Sequence, residues 1–289
     1  MPAVECVVDG RNVLGESVIW HPRERRLYWV DVRAPALYRL EPDGRVASFP
    51  LPALAGGLVP RASGGLAIAL QDGFYTVDTS HGRVERIVDP EPDRPENRIN
   101  DGRCDRAGRF WAGTMHVTRR EPLGSLYRLD ADRSFRKMRD GITVPNSICF
   151  SPDDRTMYLA DTYANFILAY DFSLADGEIS NPRSFVDTTS HGGHPDGSCV
   201  DADGCVWNAE YRGGRLVRYT PQGKIDRTIE LPVSQPTCCC FGGDNLDTLF
   251  ITSSRQRMAP EELASQPLAG GVFAVNPGVK GLPEAEYAG

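Results

Sequence analysis

Oxygen-donor side chains stand at one position of a repeated pattern, and the chemistry of the sequence concentrates there. "PNSICFSPDDRTMYLADT" runs from Pro145 to Thr162, and "PDGSCVDADGCVWNAE" from Pro195 to Glu210. Both follow one template, and the residue after the proline is Asn146 in the first and Asp196 in the second. Glu16 in "LGES" and Asn100, followed by Asp101, in "NRINDG" occupy the same template position. Carboxylates and amides gathered at one point repel or stay poorly paired unless a cation sits among them. All-oxygen ligation suits a hard divalent ion such as Ca, Mg or Mn, and does not exclude Zn or Fe(II). Taken singly, each of these residues has a competing role as an Asx-type cap on a strand end. Glu16, Asn146 and Asp196 together at one repeat position favour the ion.

For residues so far apart in sequence to meet, the repeat must be circular. Six segments align, starting at Gly15, Gly56, Asn100, Pro145, Pro195 and Pro236, and they recur every 41 to 50 residues. Each opens on a short apolar strand such as "SICF", turns through "SPDD" or "DADG", and continues into an aromatic strand such as "LYWVD" or "TMYLAD". A third strand closes with motifs like "LYRLEP" or "LVRYTP". Alternation with β-branched and aromatic residues marks the strands, and Gly, Asp, Asn and Pro mark the turns. No stretch sustains a helical period. Six copies of a four-stranded antiparallel unit predict an all-β, six-bladed β-propeller spanning residues 1–289 as one domain. "VECVV" near the N-terminus is expected to supply the outer strand of the last blade, removing an exposed edge. A pair of β-sandwiches would not explain six equal repeats.

In a propeller the first strand of each blade lines the central channel, so Glu16, Asn100, Asn146 and Asp196 are expected at one mouth. Blade two offers only Gly56 and Gly57 there, and blade six Thr237.

Composition narrows the function classes. The 289 residues are 40% hydrophobic and 25% charged, a globular balance. The net charge of −7 argues against general nucleic-acid binding and fits an enzyme of a neutral or polar small molecule. No window approaches about 18 consecutive apolar residues, so no membrane partner is expected. The N-terminal "MPAVECVVDG" reads as no signal peptide, which predicts a cytoplasmic protein. Eight cysteines fit no zinc spacing and are expected as reduced packing residues. Neither a G-x-S-x-G elbow nor H-E-x-x-H occurs, which excludes serine-hydrolase and zincin chemistry. His191 and His194 flank Asp196 in "SHGGHPDG" and are expected as solvated loop histidines.

At these residues the sequence resembles the gluconolactonase/regucalcin family, also called the senescence marker protein family. The matching pieces are "LGES", "NRINDGRCDRAGRFWAGTM", "PNSICFSPD", "HPDGSCVDADGCVWNAEYRGGRLVRYTP" and "CCFGG", and they span essentially the whole chain. The resemblance implies one catalytic divalent metal ion, held by Glu16, Asn146 and Asp196. It implies that Arg98 and Asn100 hold the substrate, and that the substrate is a sugar lactone, an aldono-1,4- or 1,5-lactone. In length and in its "PLAGGVFAV" ending the chain looks nearest to sugar-acid lactonases of bacterial pentose and hexose oxidation. Candidate substrates are the arabinono-, xylono-, fucono-, galactono- and gluconolactones. One position departs from the family. Where animal members carry an acidic residue that helps bind sugar hydroxyls after "GTM", this chain has Thr118. His116, Arg119, Arg120 and Glu121 lie close by on an expected mouth loop, and Glu121 is the candidate substitute.

On this reading the cation polarises the lactone carbonyl. Asp196 is the candidate base, taking a proton from water and returning it to the leaving hydroxyl, unless the ion alone activates the water. Arg98 and Asn100 orient the ring, and Asp101 steadies a ligand or Arg98. Two rival readings stand beside it. A phosphotriesterase-like hydrolase would want a more apolar pocket, and a calcium-binding or protein-interaction propeller without catalysis would want a closed, charge-rich site. A monomer or weak oligomer is expected.

Overall fold

Strand alternation and turn punctuation resolve into six small sheets. The computed structural model describes residues 3–118 and 121–289, so the expected mouth-loop residues Arg119 and Arg120 lie outside the described residues. Among the described residues, twenty-four strands form six four-stranded antiparallel sheets. Five of them run in simple meander order. The sixth is completed by the N-terminal strand Glu5–Val8, which pairs antiparallel with the last strand, Val272–Val275. The ends of the chain thus close the ring, as expected from "VECVV".

The inner strands are Gly15–His21, Ala55–Pro60, Asn97–Cys104, Pro145–Phe150, His194–Val200 and Pro236–Gly242, here taken as blades one to six. Each touches the inner strand of the blade before and after it, and blade six touches blade one. This is a six-bladed β-propeller.

The core lies between blades. Among the described residues six apolar clusters occur, each spanning two neighbouring blades. Trp111 of blade three stands edge-on to Phe150 and Phe172 of blade four, and Trp207 of blade five edge-on to Phe241 of blade six. Fully burying one such side chain contributes about 1.5–3 kcal/mol. A shared D-x-x-G-x-x-W motif fixes both indoles. Asp105 accepts from Trp111 Nε1 at 2.8 Å, and Asp201 from Trp207 Nε1 at 2.9 Å. In each the glycine, Gly108 or Gly204, turns the hairpin at φ 81°.

Two features lay outside the sequence reading. One short helix, Pro260–Ser265, sits in the sixth blade between its second and third strands. Too short to show a period, it starts with Pro260 and is capped by Glu262 Oε2, which accepts from Ala259 N at 2.7 Å. The C-terminal segment also packs across the inner hairpins at the end of the channel away from the oxygen-donor ring. Tyr287 is fully buried there, Tyr287 N donates to Pro60 O at 2.8 Å, and Glu284 pairs with Arg103.

Candidate active site

The oxygen-donor positions coincide with irregularities in the strands. In blades one, four and five, two inner-strand residues face one residue of the next strand. Ser17 and Val18 stand over Trp29, Ser147 and Ile148 over Leu159, and Asp196 and Gly197 over Ala209. In blade three Asn100 itself is the inserted residue, between Ile99 and Asp101. A β-bulge of this kind breaks the strict alternation of a strand and re-aims a side chain. Ser17 and Ser147 adopt positive φ, 51° and 60°, which costs free energy for any residue but glycine. The strain falls directly after Glu16 and Asn146.

Polar side chains stitch these bulges blade to blade. Thr237 Oγ1 donates to Gly15 O at 2.5 Å, and Ser17 Oγ to Gly56 O at 2.9 Å. Asn100 Nδ2 donates to Pro145 O at 2.9 Å, and Ser147 Oγ to Asp196 O at 2.5 Å. Where no side chain bridges, a glycine brings the backbones together. A Cβ on Gly56 would run into the Ile99 carbonyl, and one on Gly197 into Cys238. Blade two therefore carries no donor at the repeat position because its backbone must approach blade three.

Glu16, Asn100, Asn146 and Asp196 come together in the lining of one cavity of about 510 Å³ at this mouth. Asn146 is held on both sides. Its Nδ2 donates to Thr162 Oγ1 at 2.7 Å, and its Oδ1 accepts from Asn100 Nδ2 at 3.2 Å. Asn100 in turn accepts from Arg98 Nη2 at 2.7 Å. Both amide hydrogens of Asn100 are thus committed, so in this arrangement it joins Arg98 to Asn146 and offers no free donor. Arg98 is only 4% exposed, and its Nε has no partner.

Electrostatics mark the same residues. Burial, then the charge of Asp101, pushes the Glu16 carboxyl up to about 8. Burial, then Glu16 and Asp101, holds Asp196 well above the ordinary carboxylate range. Burial also raises Asp101, although its oxygens accept from Gly102 N at 2.8 Å and Ile148 N at 2.9 Å. Each carboxylate disfavours ionisation of its neighbours, the signature of a site short of positive charge. The residues therefore fit a divalent cation: two carboxylates and an amide oxygen, with Asn146 aimed by Thr162. Among the described residues no group of three or more His, Cys, Asp or Glu has metal-holding geometry, and this donor set is completed instead by an amide.

Residues 14–255 match the model of the SMP-30/gluconolactonase/LRE-like region. The chain belongs to this family. It is 40% identical to 6-deoxy-6-sulfogluconolactonase of Pseudomonas putida over 99% of each chain, and 37% identical to L-arabinolactonase of Azospirillum brasilense over 98% of this chain and 95% of that one. Its fold superposes with a TM-score of 0.95 on the crystal structure of a calcium-binding protein, regucalcin, from Agrobacterium tumefaciens, at 31% identity over 99% and 97% of the two chains.

Family membership leaves the cavity wall to be read residue by residue. Thr118 is exposed at its rim and lines it, and Glu121 is exposed and does not. His116 is buried, and its Nδ1 accepts from Thr118 N at 3.2 Å. The "SHGGHPDG" loop differs from the solvated loop expected. His191 lies 2.7 Å from Glu210 Oε1, and His194 lies 2.7 Å from Asn165 Oδ1 and lines the cavity. Each ring is held by a partner on a neighbouring segment, the buried Glu210 for His191 and Asn165 for His194. The cysteines are free thiols packed in the interior apart from half-buried Cys6, and burial raises the thiols of Cys104, Cys149 and Cys199. They are poor nucleophiles, as packing residues should be.

Sequence reasoning missed Arg33, Tyr163, Arg212 and Arg257, all of which line the cavity. A signal existed for three of them. Arg33, Tyr163 and Arg212 each follow by two residues an acid at the end of a second strand: Asp31 and Asp161 are the last strand residues, and Glu210 the last but one. That acid shapes the loop. Asp31 accepts from the backbone of Val13, Leu14 and Arg33, and Asp161 from that of Thr143 and Val144.

Proposed function

We propose that this protein is a lactonase that opens a sugar lactone to the aldonic acid with one divalent cation held by Glu16, Asn146 and Asp196. The observation that carries the reading is the meeting of these three donors, on bulged strands of three blades, with buried Arg98 in one open cavity. Membership of the family and relatives named for lactonase activity support it. The regucalcin described as a calcium-binding protein supports a divalent ion at the site.

When bound, the cation supplies Lewis-acid polarisation of the carbonyl and charge for the developing oxyanion. The chain supplies the rest. Asp196 is the base, because its carboxylate lines the cavity beside the other two donors, where the attacking water must stand. It takes a proton from water as the water oxygen bonds to the carbonyl carbon. The ring C–O bond then breaks, and the proton passes to the leaving ring oxygen. Arg98, braced by Asn100, donates to the lactone from a dry position and orients it. Asn100 is a positioning residue, tying Arg98 to Asn146. Thr118 contacts the substrate at the rim. Glu121, exposed and outside the cavity lining, has no role in this reading.

The test is lactone hydrolysis followed by proton release, on metal-stripped protein with and without each divalent ion, beside Asp196→Asn. Acceleration that needs the ion and that the variant loses is expected. Ion binding without turnover of any lactone would overturn the reading in favour of a cation-binding propeller.

A further inference from the structure

Among the described residues, four guanidinium groups line the candidate active-site cavity: Arg33, Arg98, Arg212 and Arg257. Elsewhere arginines are commonly matched to carboxylates, as Arg26 is to Glu41, Arg128 to Asp130 and Arg218 to Asp201. None of the four cavity arginines has a carboxylate within 4.0 Å among the described residues. Arg98 feels the charges of Glu16 and Asp196 at the floor, and on the lactonase reading a cation claims those. With that ion bound, the wall carries positive charge that no protein group balances, in a chain whose overall charge is −7.

The charge is also organised. Arg212 belongs to blade five, Arg257 to blade six and Arg33 to blade one, three consecutive blades of the ring. Gln256 ties the arc together. It accepts from Arg33 Nε at 2.7 Å, and the Tyr211 hydroxyl sits beside both Gln256 and Arg212. Among the described residues the opposite wall is uncharged, with Met115, Val117 and Thr118 from blade three, and Val144, Thr162 and Tyr163 bordering blade four. Arg98 lies between arc and floor, 4% exposed, with its Nε unpartnered. Burial and then the nearby charge of Arg33 lower it only to about 10, so it stays cationic at neutral pH. A neutral sugar would leave this arc unmatched. Guanidinium forks in a concave site concentrate field on an anion and pair its oxygens two at a time.

Resting on the lactonase reading, we propose that the substrate is an anionic sugar lactone, one whose chain ends in a phosphate, sulfonate or carboxylate away from the ring carbonyl. Arg33, Arg212 and Arg257 bind that terminal group, and the ring lies over Glu16, Asn146 and Asp196. The chemistry shared by the three groups is a compact cluster of acceptor oxygens, and the probes separate them.

The experiment compares kcat/KM for glucono-1,5-lactone with that for the same lactone carrying a 6-phosphate or a 6-sulfo group, and for a lactone with a terminal carboxylate. The cation-loaded full chain is used at low and high salt. At least one anionic lactone is expected to exceed the neutral one by about tenfold or more, with the preference falling as salt is added. Arg33→Gln, Arg212→Gln and Arg257→Gln should each reduce the anionic-to-neutral ratio by about tenfold, mainly through KM. Arg212 and Arg257 have positive φ, 64° and 58°, which Gln meets on the same terms as Arg, and the salt dependence of the unmodified protein tests the same charge without any variant. Equal or better turnover of the neutral lactone, without salt dependence, would overturn the proposal and leave the lactonase reading standing. No turnover of any lactone with any divalent ion would overturn both.

Discussion

Asn146 and Thr162 are joined at 2.7 Å, Nδ2 to Oγ1, and the same threonine hydroxyl donates to Pro195 O at 2.9 Å. One hydroxyl thus orients the amide of blade four and reaches the blade that carries Asp196. With its hydrogen committed to Thr162, Asn146 presents its oxygen to the cavity.

The first prediction follows from that link. Thr162→Val removes both bonds at nearly constant volume, so the amide loses its orientation. Cation affinity, measured by calorimetric titration with Ca²⁺ and Mn²⁺, should fall about 10- to 100-fold. Thr162→Ser should recover most of it. Unchanged affinity in the valine variant would remove Thr162 from the site.

The second concerns pH and stability without the cation. Glu16 is raised to about 8 from an ordinary value of 4.5, and Asp196 is raised as well. Between those limits the folded protein holds protons that the unfolded chain has released, so stability falls as pH rises through the window. Buried His21 has the opposite sign. Its value is lowered from 6.5, chiefly by burial, and its contribution is complete above that pH. Melting of chelated protein between pH 6.5 and 8.5 therefore keeps clear of His21; the raised buried thiols add a loss of the same sign near the upper end, and Asp196→Asn separates the carboxylates from them. The midpoint should drop across this range, a divalent ion should restore it with proton release, and Asp196→Asn should melt higher than the parent at pH 8.5. A chelated protein that melts higher at pH 8.5 than at 6.5 would contradict the electrostatic account.

The sequence showed the ring and its floor but not its wall. Inner strands, closure by "VECVV" and the shared position of Glu16, Asn146 and Asp196 were legible because a propeller repeats its register, so equal positions meet. Bulges at those positions were not legible, since Ser17 and Ser147 are ordinary strand residues until their φ is known. Arg33, Arg212 and Arg257 escaped because they sit on loops, where periodicity gives no phase and a solvated arginine looks the same. The C-terminal segment escaped for a related reason: "GLPEAEYAG" has no alternation, and its placement rests on single contacts such as Tyr287 with the second and third blades.

The third prediction tests why blade two holds no donor. Gly56→Ala places a methyl group against the Ile99 carbonyl, and backbone rather than a flexible side chain must yield. Overpacking of this kind costs about 1–3 kcal/mol. Urea denaturation should report a loss in that range. Because Ile99 lies between Arg98 and Asn100, cation affinity should fall with it. A variant as stable as the parent would mean that the two backbones are free to part.

The fourth asks whether the far end of the channel serves stability alone. Tyr287 is fully buried against Phe110, and its hydroxyl donates to Asp130 O at 3.0 Å. Arg103 and Glu284 form a pair beneath the same segment, with side chains 13% and 11% exposed. Tyr287→Ala should cost about 3–5 kcal/mol, the range for truncating a large buried aromatic. Glu284→Gln should also destabilise strongly, because it leaves the Arg103 guanidinium buried beside a neutral partner. Neither residue lines the cavity of Glu16 and Asp196, so cation affinity at a temperature where both variants are folded should match the parent within about twofold. A larger loss would show that the C-terminal segment sets the spacing of the inner strands through the whole channel.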